Sequence, residues 1–286
     1  MTLVLDDPLR AARRAVTGGR FREAWDALRH QPDAVRRTPE WLLLGAMARW
    51  RLGEFGPSRG AALEARDAYR KMGDVDGEMR AENVAAAGAF ALGDVAEAED
   101  GFERALRLAE QLGDELMLAR CANNRGNVAF YLAKNSAALG FYRLAQALFE
   151  RVGLRQGVAE TWINIGLVWR DLERLRDSDE AAERALEIAE HIDRPRLIAQ
   201  SLAMRGEALA LSGDLPLGRA QVALALSVAR QQEDRLAQVE ALRILASIER
   251  LAGALEAAER WAAEAMAIAS QMDHPWAVAE VERDRA

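Results

Sequence analysis

The sequence holds 286 residues with a formal net charge of -7, half of them hydrophobic, with seven prolines and one cysteine. That composition suits continuous helix better than sheet or disorder, and the single Cys121 excludes an internal disulfide and fits a reducing compartment. No apolar run approaches the roughly 18 residues of a membrane span, and so acidic a surface repels a phosphate backbone, so neither membrane nor nucleic acid is an expected partner.

Met1 to Asp7 carry no basic head and no long apolar run, so no signal peptide is expected and the chain is assigned to the cytoplasm. Apolar periodicity near 3.6 then divides the sequence into helical hairpins over 7–34, 35–74, 75–114, 115–154, 155–194, 195–234 and 235–274. The first is short: Gly19, Phe21, Ala24 and Leu28 fit the pattern, and Pro32 breaks its second helix early. The second places Arg66 where other copies are apolar, which predicts looser packing. In the third, Ala98, Phe102, Ala105, Leu106, Ala109 and Leu112 form the buried stripe of the second helix. Its other face predicts i,i+4 pairs Asp100 with Arg104 and Glu103 with Arg107.

The fourth hairpin is the plainest: one helix to Leu132, a break at Ala133-Lys134-Asn135, a second helix to Val152 and a stop at Gly153-Leu154. The fifth turns at Glu173-Arg174 instead of glycine, and its Trp162 and Trp169 are expected in the core. Across all hairpins Gly serves as the left-handed stop, Asp as the next N-cap and Pro as the first helical turn. Residues 275–286 begin a further first helix, a half-hairpin of the kind that caps a stacked array.

Two registers of small residues recur every forty positions. One is Ala65, Ala105, Ala145, Ala185, Ala225 and Ala265; the other is Ala46, Ala86, Gly126, Gly166, Gly206 and Ala246. Small side chains there let one helix lie close against the next. Gly126, Ala133, Asn135, Ala138, Tyr142 and Ala145, and in the preceding copy Ala86, Gly93, Val95, Ala98, Phe102 and Ala105, resemble the tetratricopeptide repeat in a forty-residue variety like that of bacterial regulators. The resemblance covers nearly the whole chain and implies an all-α, right-handed superhelical solenoid over 1–286 whose first helices line a concave groove.

Catalysis is not expected, nor a metal or cofactor. His30, His191 and His274 fall at helix ends in different hairpins, remote from Cys121, and no phosphate-binding glycine loop is present. On first helices the candidate groove residues are Arg80 and Asn83; Arg120, Asn123, Asn124, Asn127, Phe130 and Tyr131; and Asn164 and Arg170. Asparagine inside a helix costs roughly half a kcal/mol relative to alanine. An amide, however, offers both donor and acceptor to the backbone of an extended segment. Arg80, Arg120 and Arg170 suit a carboxylate, and Phe130 and Tyr131 suit apolar contact. The resemblance likewise implies peptide contact at Asn123, Asn124, Asn127 and Asn164. The expected function is capture of a peptide or protein segment. The rivals are a self-assembling homo-oligomeric module anchored by Trp41, Trp261 or Trp276, and the sensor or regulatory part of a bacterial signalling or transcription system.

Overall fold

The computed structural model describes residues 7–272 and 275–285, and among them every regular element is a helix. The helices gather into two compact units that divide between Asn124 and Arg125. The first contains α1 (Arg10–Thr17), α2 (Phe21–Arg29), the single-turn α3 (Asp33–Arg36), α4 (Pro39–Arg51), α5 (Phe55–Met72), α6 (Val75–Ala91) and α7 (Val95–Leu112). Helix α8 (Glu115–Tyr131) carries the division. The second unit continues with α9 (Asn135–Arg151), α10 (Arg155–Asp171), α11 (Leu175–His191), α12 (Pro195–Leu211), α13 (Leu215–Gln231), α14 (Arg235–Leu251), α15 (Leu255–Ala269) and α16 (Pro275–Arg285). Helix α3 follows Pro32, where the sequence predicts only a break.

What terminates these helices is a backbone device repeated every twenty residues. Left-handed φ occurs at Gly53, Gly73, Gly93, Gly113, Ala133, Gly153, Glu173, Asp193, Gly213, Glu233 and Gly253. At each, the next N–H reaches a carbonyl five residues back, as from Arg174 to Trp169 at 2.8 Å and from Asp94 to Ala89 at 2.9 Å. That bond satisfies a carbonyl the helix end leaves unpaired and reverses the chain. Asp74, Asp94, Asp114, Asp214 and Asp234 then accept from the N–H three residues on, capping the next helix as the sequence predicts.

Within each unit neighbouring helices pack together, α4 on α5, α5 on α6 and α6 on α7 in the first and each pair from α9 to α16 in the second, and successive first helices also touch directly: α4 with α6 in the first unit, and α10 with α12, α12 with α14 and α14 with α16 in the second. Residues in one register of adjoining first helices therefore meet. Both small-residue columns are buried. Their role is visible at Gly126, where a Cβ would stand 2.4 Å from the Tyr142 ring, and at Gly206, where it would stand 2.5 Å from Val222. In the second unit Leu202, Leu226, Leu242, Leu245 and Ile248 form a continuous core, each fully buried side chain contributing about 1.5–3 kcal/mol.

Three local expectations are corrected. Leu112 is exposed, because the stripe runs out in the last turn of α7. Arg104 does not pair with Asp100 but bonds the buried Glu82 on α6 at 2.8 Å and Glu97, two turns back on its own helix, at 2.8 Å. Arg66 does not leave a gap in the second hairpin: it lies 3.6 Å from the buried Glu82, so an ion pair occupies the place where Leu226 and Leu242 pack four hairpins further along the repeat.

Candidate functional site

In the first unit α6, held at its start by the Asp74 cap, presents Arg80 and Asn83 on one face. Arg80 is exposed and lies 3.5 Å from Asp76. The Asn83 Oδ1 accepts from Asn124 Nδ2 at 3.0 Å, and the thiol of the fully buried Cys121 approaches the same oxygen at 3.9 Å. This amide bridge between adjoining first helices joins two residues forty-one apart, one position beyond the forty-residue register that pairs Asn83 with Asn123. Arg120 is exposed with one nitrogen 3.7 Å from the Met117 sulfur, and Asn123 is half-buried beside it in sequence.

In the second unit the candidate residues divide by role. Asn127 Oδ1 accepts from the Tyr142 hydroxyl at 2.9 Å; the ring is 1% exposed, and burial pushes its phenol well above the ordinary value. The amide thus satisfies a buried donor, which neither residue alone reveals in the sequence. Phe130 packs with Ala129, Leu139 and Ile165 in the core, whereas Tyr131 is 47% exposed. Asn164 is half-buried. Arg170 bonds Glu207 on α12 at 2.7 Å and Asp171 at 2.8 Å, so its charge is largely balanced from within the unit.

Trp162 and Trp169 pack in the core as expected, with Arg184 and Arg174 stacked over their rings at 5.2 and 4.1 Å. Trp41 is no exposed anchor. It is half-buried against Trp25, with ring centroids 6.1 Å apart, and its indole N–H donates to Leu28 O at 2.9 Å. Trp261 lines an apolar hollow of about 410 Å³ with Leu226 and Leu245, and the Trp276 side chain and His274 lie outside the described residues.

Sequence reasoning missed a second, polar cavity of about 340 Å³ on the first helices of the second unit, bounded by Arg170, Glu207, Arg243, Ser247, Arg250 and Arg283 among others. A signal was present: Arg243 and Arg283 continue the forty-residue register of Asn83 and Asn123, and Ser247 continues that of Asn127. Among the described residues no group of three or more His, Cys, Asp or Glu is placed to hold a metal ion, and no helix is long and apolar enough to cross a membrane.

Hairpins of this register, joined by glycine-type stops and packed through small residues, define a helical-repeat fold of the tetratricopeptide type. No protein-family model matches the chain, and comparison with curated proteins gives no match. Solved structures do. A Rap protein complexed with Competence and Sporulation Factor has a TM-score of 0.77 at 18% identity, over 96% of this chain and 74% of that one. NprR in complex with its cognate peptide NprX has a TM-score of 0.70 at 13% identity, over 97% and 81%. Aspartyl phosphate phosphatase F from Bacillus subtilis has a TM-score of 0.69 at 12% identity, over 90% and 68%. At these identities the likeness is one of fold.

Proposed function

We propose that the chain is a non-catalytic scaffold that captures an extended peptide or protein segment on the face of its first helices. The observation that carries this reading is the Asn83–Asn124 bridge. With one donor and one acceptor used on each other, the half-buried pair keeps the Asn83 amide nitrogen and the Asn124 carbonyl oxygen without a partner among the described residues. One donor beside one acceptor is the complement of a peptide unit, whatever side chains that peptide bears. Arg80, Arg120 and Asn123 flank the pair in the first unit; Asn127, Phe130, Tyr131, Asn164 and Arg170 are the corresponding set in the second, where Asn127 and Arg170 act through the groups they hold. The peptide complex of NprR, on a similar fold, supports the reading.

A regulatory setting is a second reading, with the chain as the sensing part of a bacterial signalling or transcription system in the cytoplasm; the similar folds of a Rap conjugation gene regulator and of the quorum sensor NprR support it. Nucleic acid and membrane are not partners in this reading, and self-association is its rival. A phosphatase reading enters through the Bacillus subtilis neighbour, and assay with an aspartyl-phosphate protein tests it.

The direct test is retention of a random hexapeptide pool by the immobilised full chain. Asn83→Ala with Asn124→Ala removes both halves of the bridge, so no amide is left unpaired and only the weak thiol donor of Cys121 loses the Asn83 oxygen. Retention should fall about tenfold or more while the melting temperature stays nearly unchanged. Equal retention by the double variant sinks the assignment. Asn127→Ala is unsuitable here, because the Tyr142 hydroxyl left unpaired costs about 1–3 kcal/mol of stability.

A further inference from the structure

The apolar hollow of about 410 Å³ lies on the second-helix side of the second unit, between α13 and α15 with α14 beneath. Helix α14 shows Leu245 and Glu249 to it and Arg243, Ser247 and Arg250 to the polar cavity, so the two occupy opposite faces of that helix. One hairpin earlier the same register is filled by charge: Arg205 on α12 bonds Asp179 at 3.1 Å and Glu183 at 3.3 Å on α11. Forty residues on, Leu245 replaces Arg205, Ala223 replaces Glu183 and Trp261 replaces Gln221. Two shorter side chains open the space, and an indole walls it. Its volume falls within the roughly 300–1,000 Å³ of small-molecule sites.

The walls set the chemistry of the occupant. Leu226 and Leu245 form a buried floor, and the small Ala223 leaves room for a ring beside the half-buried Trp261. An aromatic ring offset or edge-on to an indole gains attraction beyond the area it buries. Charges at the rim are already matched: Glu249 accepts twice from Arg219 at 2.8 Å, and Arg230 bonds Glu264 at 2.6 Å. An ionic ligand would have to break one of these pairs or enter without a counter-charge, a cost that a neutral ligand avoids. Ser227 and Gln231, both exposed at the Arg230 end, offer a hydroxyl and an amide to one polar substituent. We propose that this hollow binds an uncharged one- or two-ring aromatic molecule, its ring against Trp261 and a single polar substituent toward Ser227 and Gln231. None of these residues belongs to the peptide-capture set, so the site stands apart from that reading.

The test is equilibrium dialysis of the full chain against 2-naphthol, with 2-naphthoate as the charged control and decahydro-2-naphthol as the saturated one. 2-Naphthol should bind saturably and shift the indole N–H resonance of Trp261, with 2-naphthoate about tenfold weaker and decahydro-2-naphthol about fivefold weaker. Ala223→Phe fills the hollow from an exposed position and should abolish saturable binding with the melting temperature nearly unchanged. Trp261→Gln, which restores the residue of the preceding hairpin, should weaken 2-naphthol about fivefold or more. Absence of saturable binding, equal binding by Ala223→Phe, or a Trp261 resonance that stays still overturns the site. Equal affinity for 2-naphthoate or for decahydro-2-naphthol overturns the neutral aromatic class. If the wild type sediments as a dimer that Ala223→Phe splits, a second copy covers the hollow and the proposal falls.

Discussion

At Ala133 and Glu173 the backbone turns at φ 55° and 58°, conformations that crowd a Cβ against the following carbonyl. The turn is retained there because the five-back hydrogen bonds from Lys134 to Ala129 and from Arg174 to Trp169, each 2.8 Å, and the packed helices on either side overdetermine it. Strain of this kind is removable. Glu173→Gly is expected to raise stability by about 0.5–1 kcal/mol, the relieved strain outweighing the added freedom of the unfolded chain, and Gly153→Ala to lower it by about 1 kcal/mol. Denaturant melts of the two variants check both signs; a loss of stability in Glu173→Gly contradicts this account of the turn. The alternation of glycine with strained residues also explains why the fifth turn looks irregular in sequence and is regular in space.

Helix packing turns single substitutions into coupled ones. Glu82 is 1% exposed, between Arg104 on α7 and Arg66 on α5. Glu82→Leu alone strands two partly buried guanidinium groups and should cost about 3 kcal/mol or more, whereas adding Arg66→Leu rebuilds the leucine contact of other hairpins and should recover most of the loss. A double variant no more stable than the single would show that the charged trio is indispensable. At the other end, α16 brings Glu280 close to Glu240 and Arg243; burial first and the Glu240 charge second raise its carboxyl above the ordinary 4.5, outweighing Arg243. A folded-state carboxyl raised in this way favours folding at low pH, and that contribution is lost as pH rises from the ordinary carboxylate value through the raised one. Glu280→Gln, which fixes the neutral form, should therefore raise the melting temperature at pH 7 and leave it unchanged below pH 4; the opposite ordering would mean that the Arg243 attraction dominates.

Over the whole molecule the same hairpin is written again and again, and each copy buries an apolar stripe that it could not bury alone. That redundancy makes architecture readable from one chain: hairpin boundaries follow from Gly53, Gly93 and their successors, and the close crossings from Ala105 and Ala145. Polar groups on the first helices lack such redundancy. Asn83, Asn127 and Arg170 look alike in the sequence as polar residues on first helices, yet one bridges to the neighbouring first helix, one satisfies a buried phenol and one is neutralised by Glu207 and Asp171.

The sequence by itself determined the helical class, the forty-residue hairpin with its half-length turn at every twentieth position, the small-residue crossings and the polar cluster on first helices, because each depends on local backbone preference and on periodicity along one chain. Only the tertiary structure decided which polar group meets which. Arg104 reaching Glu82, Tyr142 claiming Asn127 and Arg250 left without a carboxylate beside Arg243 depend on the distance between residues on different helices, and charge pairing and burial are set by that distance rather than by position in the repeat.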